Sequence, residues 1–335
     1  MRKGLKIVAY VVIVVIVVYL LGPSPEAPKL SKQLPTVPSS AMALEQFIKE
    51  QEAKHKLKPN NEARIVWVND SLKTRTEYAI VYVHGFSASQ EEGNPVHRNI
   101  AKEFGCNLFL CRLQEHGIDT TEQLQNLTAD NLWESAKQAL VIGKQLGKKI
   151  ILMGTSTGGT LALMLAAEYP NDVAGLVLYS PNIAINDPNA WAINNHWGLQ
   201  IARMVKGGKY VVPKDERPIY SQYWNRPYRL EAAVSLEDLL EASMNKNTFA
   251  AIHQPTLALY YYKDEEHQDP VVKVSAIKEM MQQLGTDAKL KREVAMPKTE
   301  DHVLASPIRS HDVEGVQLET EKFMKEVMGM KGKLQ

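Results

Sequence analysis

A serine between small residues lies where an apolar, strand-like run changes into a helical pattern. Residues 154–158 read Gly-Thr-Ser-Thr-Gly, after the run 150–153 and before a helical pattern over 160–169. A sharp strand-to-helix turn needs small neighbours, which the two glycines supply. In that setting the hydroxyl of Ser156 projects above the strand ends. The backbone N–H of Thr157 lies at the helix N-terminus, where a developing oxyanion is stabilised. The motif predicts a strand–turn–helix unit with Ser156 as nucleophile.

Strand-like and helix-like segments alternate along most of the chain. The strand-like runs are 63–68, 77–83, 107–112, 149–153, 175–179, 256–262 and 290–296. The helical patterns are 132–146, 157–169, 274–284 and 313–328. This alternation predicts an α/β fold with a mostly parallel central sheet and helices on both faces. The short linker 69–71 predicts a hairpin between the first two strands. Residues 182–253 interrupt the alternation and predict an inserted helical cap.

The first 22 residues have the features of a membrane anchor. Residues 7–21 carry no charge, and Arg2, Lys3 and Lys6 precede them. With its flanking residues the run approaches the lower limit for a spanning helix, about 17 residues. Prolines follow at the positions where a signal peptidase would cut, which favours an uncleaved anchor over a cleaved signal peptide. The expectation is a single-pass protein that contacts the membrane through residues 5–22. Its remaining domain would lie on the non-cytoplasmic side, periplasmic or extracellular.

The rest of the chain divides into a linker and a main domain. Five prolines among residues 23–40 predict a semi-extended tether, followed by a short helix from about residue 41 to 56. The tether and helix together make up residues 23–61, and residues 62–335 form the main domain.

Composition excludes several classes of function. The chain has 39 Lys+Arg against 38 Asp+Glu, so it lacks the basic surplus of a nucleic-acid binder. Its two cysteines are too few for a disulfide scaffold or a Cys-rich zinc site. No metal-ligand spacing such as His-Glu-x-x-His and no dinucleotide-binding fingerprint occurs. We therefore expect neither a metal nor an organic cofactor.

A second turn that is a candidate part of the site follows the strand-like run 79–83. It reads His84-Gly85-Phe86-Ser87. Gly85 lets the backbone come close to the nucleophile, and the N–H of Phe86 is a candidate second oxyanion donor beside that of Thr157. We assign His84 a structural hydrogen bond and not the role of base. The alternative is a simple strand-ending turn around a buried histidine.

With these motifs the chain resembles the α/β-hydrolase superfamily, and within it the monoacylglycerol-lipase and serine-aminopeptidase-like esterases. The resemblance covers about residues 62–330. It departs from the family at Gln114-Glu115, where relatives have Pro-Gly, and at Tyr260–Tyr262, where they have a glycine before the acid loop. The segments that carry it are His84–Phe86, Arg112–Gly117, Gly154–Gly158, Asp269–Val272 and Asp301–Val303.

The resemblance implies a Ser-acid-His triad in that chain order. His302, on the loop after the run 290–296, takes the place of the base. Asp269 begins Asp-Pro-Val-Val, which is similar to the family's acid loop, and is the favoured acid. Asp264 lies nearer the end of its strand and remains the alternative acid. The implied reaction forms an acyl-enzyme on Ser156, which water then hydrolyses.

The implied activity is that of a serine hydrolase acting on carboxylic esters, lipid-like or small, as carboxylesterases and monoacylglycerol lipases do. A serine peptidase or amidase with the same triad remains an alternative, and so does a non-catalytic binding module on the same fold. Five aromatic residues of the cap either line an acyl pocket or pack the cap onto the body. They are Trp191, Trp197, Tyr220, Tyr223 and Trp224.

Overall fold

The structure, a computed structural model, describes residues 2–332, with side chains from residue 4 onward. The strands in this range are β1 (Arg64–Val66), β2 (Thr76–Val83), β3 (Asn107–Leu110), β4 (Gly147–Thr155), β5 (Val173–Tyr179), β6 (Tyr210–Val211), β7 (Tyr228–Arg229), β8 (Thr256–Tyr260) and β9 (Lys291–Ala295). The α-helices are α1 (Arg2–Leu20), α2 (Ala41–Glu52), α3 (Val96–Glu103), α4 (Ala129–Leu146), α5 (Thr157–Glu168), α6 (Gly198–Lys206), α7 (Pro218–Tyr223), α8 (Leu230–Ser243), α9 (Lys246–Ala250), α10 (Val274–Gln283) and α11 (Val313–Lys322).

Seven strands form the central sheet in the order β1-β3-β2-β4-β5-β8-β9. All neighbouring pairs are parallel except β1 with β3. The inner strands are aliphatic and buried on both faces, as a covered parallel sheet requires. One apolar layer packs beneath α4, α5 and α10, and the other beneath α3 and α11. The carboxyl ends of the parallel strands meet at one edge, where the loops with the predicted site residues converge.

The predicted hairpin between the first two strands is wrong. Strand β1 pairs antiparallel with β3, with Arg64 opposite Leu110 and Val66 opposite Leu108. Both edges of β2 are already occupied, by β3 on one side and β4 on the other. The Asn107 side chain also accepts the Val68 N–H at 2.9 Å, which extends the β1–β3 contact.

The predicted membrane anchor is also wrong. Within residues 2–332, no helix is both long enough and apolar enough to cross a membrane. The basic residues that were expected to precede a span lie inside α1 itself. This leaves an uncharged helical stretch at residues 7–20, which rises only about 21 Å against a hydrocarbon core of about 30 Å. The single-pass topology, the membrane contact through residues 5–22 and the non-cytoplasmic placement are therefore not supported.

Helix α1 ends against the segment that follows β5. The indole Nε1 of Trp197 donates to the Val18 carbonyl at 3.0 Å, and the Trp197 N–H donates to the Pro23 carbonyl at 2.9 Å. The imidazole of His196 meets the Tyr19 ring edge-on, with ring centroids 5.4 Å apart. These contacts dock the C-terminal end of α1.

The proline-rich segment 23–40, here called the N-terminal strap, lies along α4. Asp130, in the first turn of α4, accepts the Leu30 N–H at 2.7 Å and the Lys29 N–H at 2.9 Å. One turn and two turns further on, Trp133 and Lys137 donate to the Ser31 carbonyl at 2.8 and 2.7 Å. Residues 23–38 have no helix or strand hydrogen bonds of their own, and α4 side chains instead bond to the backbone of Lys29, Leu30 and Ser31.

Residues 182–253, between β5 and β8, contain the helices α6 to α9. They also contain the short antiparallel pair β6–β7, with Tyr210 opposite Arg229, which the sequence pattern did not indicate. Helix α8 contacts both α4 and α6, so it connects this segment to the body of the molecule.

Candidate active site

Ser156 lies on a strained turn between β4 and α5. Its φ is +53°, in a region that non-glycine residues seldom adopt. The small neighbours are obligatory: a Cβ on Gly158 would lie 1.9 Å from the Val83 carbonyl oxygen, and one on Gly154 would lie 2.5 Å from Gly158. The Ser156 amide donates to the Tyr179 carbonyl at 2.9 Å, which fixes the turn to the neighbouring strand.

His302 and Asp269 come from loops 33 residues apart and form a buried pair. The distance from His302 Nδ1 to Asp269 Oδ2 is 2.7 Å. The other carboxylate oxygen of Asp269 accepts the Val271 and Val272 amides at 2.8 and 3.1 Å. Asp269 is fully buried, whereas His302 retains slight exposure and lines the same cavity as Ser156. The carboxylate thus sets the ring orientation and places the Nδ1 proton, which leaves Nε2 for the cavity.

The pair shifts the pKa of both members. Burial alone would lower the pKa of His302, but the carboxylate of Asp269, with smaller contributions from Glu92 and Asp301, outweighs it and raises that pKa. Burial would raise the pKa of Asp269, but the charge and hydrogen bond of His302 and the two backbone amides outweigh it and lower that pKa. This is the electrostatic arrangement of a histidine oriented by an ionised carboxylate.

The alternative acid, Asp264, lies elsewhere. Its Oδ1 is 2.7 Å from Nδ1 of His267, and it also accepts the amides of Glu266 and His267. Its side chain is 52% exposed. Asp264 therefore closes its own loop and has no hydrogen bond to His302 among the described residues.

The two candidate oxyanion donors flank Ser156. Thr157 is the first residue of α5, and Phe86 lies in the turn after β2. Within residues 2–332 neither amide donates to a protein acceptor. A Cβ on Gly85 would lie 3.1 Å from Ser156 Cβ, so the Phe86 turn passes directly beside the serine. The two free N–H groups are thus available to an oxyanion at this site.

Two buried histidines hold the Phe86 turn. Nε2 of His84 accepts the Leu113 N–H at 3.0 Å, so its proton lies on Nδ1, which donates to the Gly85 carbonyl at 2.8 Å. Nε2 of His116 accepts the Ser87 N–H at 3.0 Å. Burial lowers the pKa of His84 to about 4, and that of His116 lies well below its ordinary value, so both rings are neutral. His84 therefore makes structural hydrogen bonds.

Glu92 was not among the site residues predicted from the sequence. This residue is 2% exposed and lines the cavity with Ser156 and His302. It lies in the acidic pair Glu91-Glu92, a pattern typical of an exposed turn, so nothing in the sequence marked it as buried.

The five aromatic residues of 182–253 divide into two groups. Tyr220 and Trp224 line the cavity and stack on each other, with ring centroids 5.0 Å apart. The structure does not bring the other three to the cavity wall. Trp191 is 61% exposed, Trp197 packs against the end of α1, and Tyr223 is buried beside Ala88 and Val303.

The cavity above Ser156 has a volume of about 840 Å³. Its wall is mostly apolar and comes largely from 182–253. The aliphatic members include Ile185, Ile193, Ile201, Val205, Val211, Leu230, Leu236 and Val271. In residues 2–332, no group of three His, Cys, Asp or Glu side chains is placed to hold a metal ion.

Solved structures with the same fold include several lipolytic enzymes. A structure of the metagenome-derived lipolytic enzymes LipS and LipT has a TM-score of 0.64 at 15% identity, covering 81% of this chain and 99% of the other. The monoacylglycerol lipase of Paleococcus ferrophilus has a TM-score of 0.56 at 14% identity, covering 79% and 98%. At such identities the likeness shows the fold alone. It confirms the expected α/β-hydrolase fold, with a mostly parallel sheet and flanking helices, and places the chain in that class.

Within this class the family is shown by sequence. The family model described as serine aminopeptidase, S33 matches residues 76–297, and the chain belongs to this family of serine hydrolases. It is 32% identical over 103 residues to human monoacylglycerol lipase ABHD6, covering 31% of this chain and 30% of that protein. It is 33% identical over 98 residues to the thermostable monoacylglycerol lipase of Bacillus sp. (strain H-257), covering 29% and 38%. The chain thus spans about a third of the length of these curated relatives. The resemblance predicted from its motifs is confirmed.

Proposed function

We propose that the protein is a serine hydrolase that cleaves carboxylic esters through an acyl-enzyme. The observation that carries the proposal is the buried His302–Asp269 pair, joined at 2.7 Å, in the same cavity as a serine on a strained strand-to-helix turn. Two relatives are named as monoacylglycerol lipases, which supports an ester substrate.

In the proposed mechanism, His302 Nε2 takes the Ser156 hydroxyl proton as the oxygen attacks the ester carbonyl carbon. Asp269 keeps the other ring proton on Nδ1 and stabilises the imidazolium that forms. The Phe86 and Thr157 amides donate to the tetrahedral oxyanion. When the intermediate collapses, the imidazolium protonates the leaving alkoxide. A water molecule, deprotonated by the same histidine, then hydrolyses the acyl-enzyme and regenerates the Ser156 hydroxyl.

We infer that residues 182–253 act as a cap that binds the acyl part of the substrate. The aliphatic cavity wall supports an apolar acyl chain, because burying each methylene contributes about 0.8 kcal/mol. The aromatic residues that line the cavity are Phe86, Tyr220, Trp224 and Tyr228, of which the last three belong to 182–253. The proposed hydrolase domain is then residues 62–335, with the cap inserted between β5 and β8.

The first test is covalent labelling. We expect a fluorophosphonate probe to label the wild-type protein and not the Ser156→Ala variant, because only an activated serine attacks the phosphorus centre. Equal labelling of both proteins would contradict Ser156 as the nucleophile. Absence of labelling in a folded wild-type protein would favour the non-catalytic binding module.

Peptidase activity is the second candidate, since the family description names a serine aminopeptidase. A series of esters of increasing acyl length, compared with aminoacyl amides, separates the two. We expect kcat/KM to rise with acyl length for the esters and to stay low for the amides. The reverse order would establish an amide hydrolase on the same residues.

A further inference from the structure

A buried carboxylate touches the oxyanion turn but has no part in the proposed triad. Glu92 lies on the short helical turn Gln90–Gly93 that follows the Phe86 turn. Its Oε2 accepts the N–H of Gly85 at 2.6 Å. A buried carboxylate needs hydrogen-bond donors to offset the loss of water, and within residues 2–332 the Gly85 amide is the one donor to Glu92.

Gly85 lies between this carboxylate and the nucleophile. A Cβ on Gly85 would be 2.9 and 3.1 Å from the two Glu92 carboxylate oxygens, and 3.1 Å from Ser156 Cβ. A side chain at this position would displace the Glu92 carboxylate and crowd the Cβ of Ser156, so glycine leaves room for both. A glycine restricts its own φ and ψ very little, and the constraint on this turn has to come from its hydrogen-bond partners.

The partners hold the peptides on both sides of Gly85. The Gly85 N–H, in the peptide that joins residues 84 and 85, donates to Glu92. The Gly85 carbonyl, in the peptide that joins residues 85 and 86, accepts from the His84 ring. His116 holds the Ser87 amide. The amide between these anchored groups is that of Phe86, which donates to no protein acceptor in the described part of the chain.

We propose that Glu92 is a positioning residue for the oxyanion site: by holding the Gly85 amide it fixes the turn so that the Phe86 N–H faces the oxyanion formed at Ser156. The inference rests on the proposed function, because it assumes that an oxyanion forms there. Glu92 acts through the backbone and does not touch the reacting atoms.

The surroundings of Glu92 provide a second, electrostatic signature. It is faced by His302 and Asp301 from the base loop, by Tyr82 from β2 and by Tyr220 from α7. Burial raises the pKa of Glu92 to about 7, although the Gly85 amide and His302 act in the opposite direction. Its ionised form contributes to the raised pKa of His302. Removing the charge therefore lowers the pKa of His302.

The test compares Glu92→Gln, which keeps an acceptor oxygen, with Glu92→Leu, which removes it. Glu91→Gln is the matched control, because this neighbour is only half-buried and does not line the cavity. For Glu92→Leu we expect kcat to fall roughly tenfold to a hundredfold with little change in KM, less than the loss of a whole oxyanion donor. Glu92→Gln should recover most of kcat, and the acid limb of its kcat/KM profile should move to lower pH. Glu91→Gln should match the wild type in both respects.

Unchanged kcat in a folded Glu92→Leu variant would overturn the proposal, and so would a higher KM at unchanged kcat. If Glu92→Leu does not fold, a kcat/KM profile of Glu92→Gln whose acid limb is not shifted would also overturn the proposal.

The Gly85 amide proton, followed by NMR, gives a readout independent of turnover. Its shift should titrate with a midpoint near pH 7 in the wild type and lose that step in Glu92→Gln. A missing step in the wild type overturns the proposal. If the wild-type protein shows this titration step but is not labelled by the fluorophosphonate probe, the result contradicts the proposed function and not the role of Glu92 in holding the Gly85 amide.

Discussion

At the scale of single residues, the site depends on side chains whose charge is controlled by burial and by one partner each. His302 has its imidazole set by Asp269, while His84 and His116 are buried without a carboxylate and stay neutral. Histidine is thus the proposed base at position 302, whereas at positions 84 and 116 it is neutral and makes hydrogen bonds that hold a turn. The difference lies in the partner and not in the histidine.

The acid can be assigned by a pair of matched substitutions. Asp269→Asn keeps the shape of the side chain but removes the charge that orients and stabilises the His302 ring. We expect kcat to fall by about 10³ to 10⁴, as for other triads that lose this carboxylate. Asp264→Asn, in the exposed loop contact with His267, should stay within about twofold because it removes only a surface interaction. Steady-state kinetics on one ester decides between the two, and a large loss in Asp264→Asn alone would reverse the assignment.

The pH profile provides an independent check on His302. The base must be neutral to accept the serine proton, and Asp269 raises its pKa above the ordinary value of 6.5. We therefore expect kcat/KM to fall as the pH is lowered, with a midpoint above 6.5. In the residual activity of Asp269→Asn the midpoint should move to lower pH. A wild-type midpoint well below 6.5 would mean that the Asp269 carboxylate does not control the base.

At the scale of elements, the N-terminal strap and α4 behave as one unit. The strap has no secondary structure, yet it is held by Asp130, Trp133 and Lys137 along successive turns of α4. Proline content predicts a segment without helix or strand, and residues 23–38 form neither. What composition does not reveal is that a helix provides its hydrogen-bond partners.

Asp130 is the residue whose loss should release the strap. Asp130→Ala removes the acceptor for the Lys29 and Leu30 amides, and we expect a cost of about 1–3 kcal/mol together with faster hydrogen exchange at these amides. Asp70→Ala is the control, because that carboxylate is 85% exposed and 3.8 Å from its lysine partner. Chemical unfolding and amide exchange measure the two effects. Unchanged exchange at residues 29–30 would show that the strap is held by other contacts.

At the scale of the whole molecule, buried ionisable groups make stability depend on pH in opposite directions. His84 and His97 have pKa values lowered by burial to about 4 and about 3, so the unfolded chain binds their protons first and stability rises with pH up to about 6.5. Glu92 and Glu237 have pKa values raised by burial to about 7, so the native state holds their protons longer. Their contribution falls as the pH rises from about 4.5 to about 7.

The contribution of Glu92 can be isolated by difference. Glu92→Gln does not titrate, so its stability relative to the wild type should increase as the pH rises from 4.5 to 7 and then level off. The full change should be roughly 3 kcal/mol, since each pKa unit corresponds to about 1.4 kcal/mol. Urea unfolding of both proteins at several pH values measures it. A constant difference across this range would show that Glu92 has the same pKa in the folded and unfolded states.

Part of the fold and part of the candidate site could be predicted from the sequence. The strand–turn–helix around Ser156, the alternation behind the parallel sheet and the membership of the family follow from residues close together in the chain. Such features depend on local periodicity and on the space that a glycine leaves free. The membrane anchor was a local prediction too, and it was wrong because the three basic residues belong to the same helix as the uncharged run.

Sequence by itself thus determined the class of fold, the family and the loops that bear the candidate residues. Only the tertiary structure decided that β1 pairs with β3, that Asp269 and not Asp264 lies against His302, and that Glu92 is buried beside Gly85. It also decided which aromatic residues of 182–253 line the cavity. The physical reason is common to all of these. Each of these contacts depends on which segments, distant in the chain, the strand order of the sheet brings together. Contacts between distant segments produce no periodic pattern in the sequence from which they could be predicted.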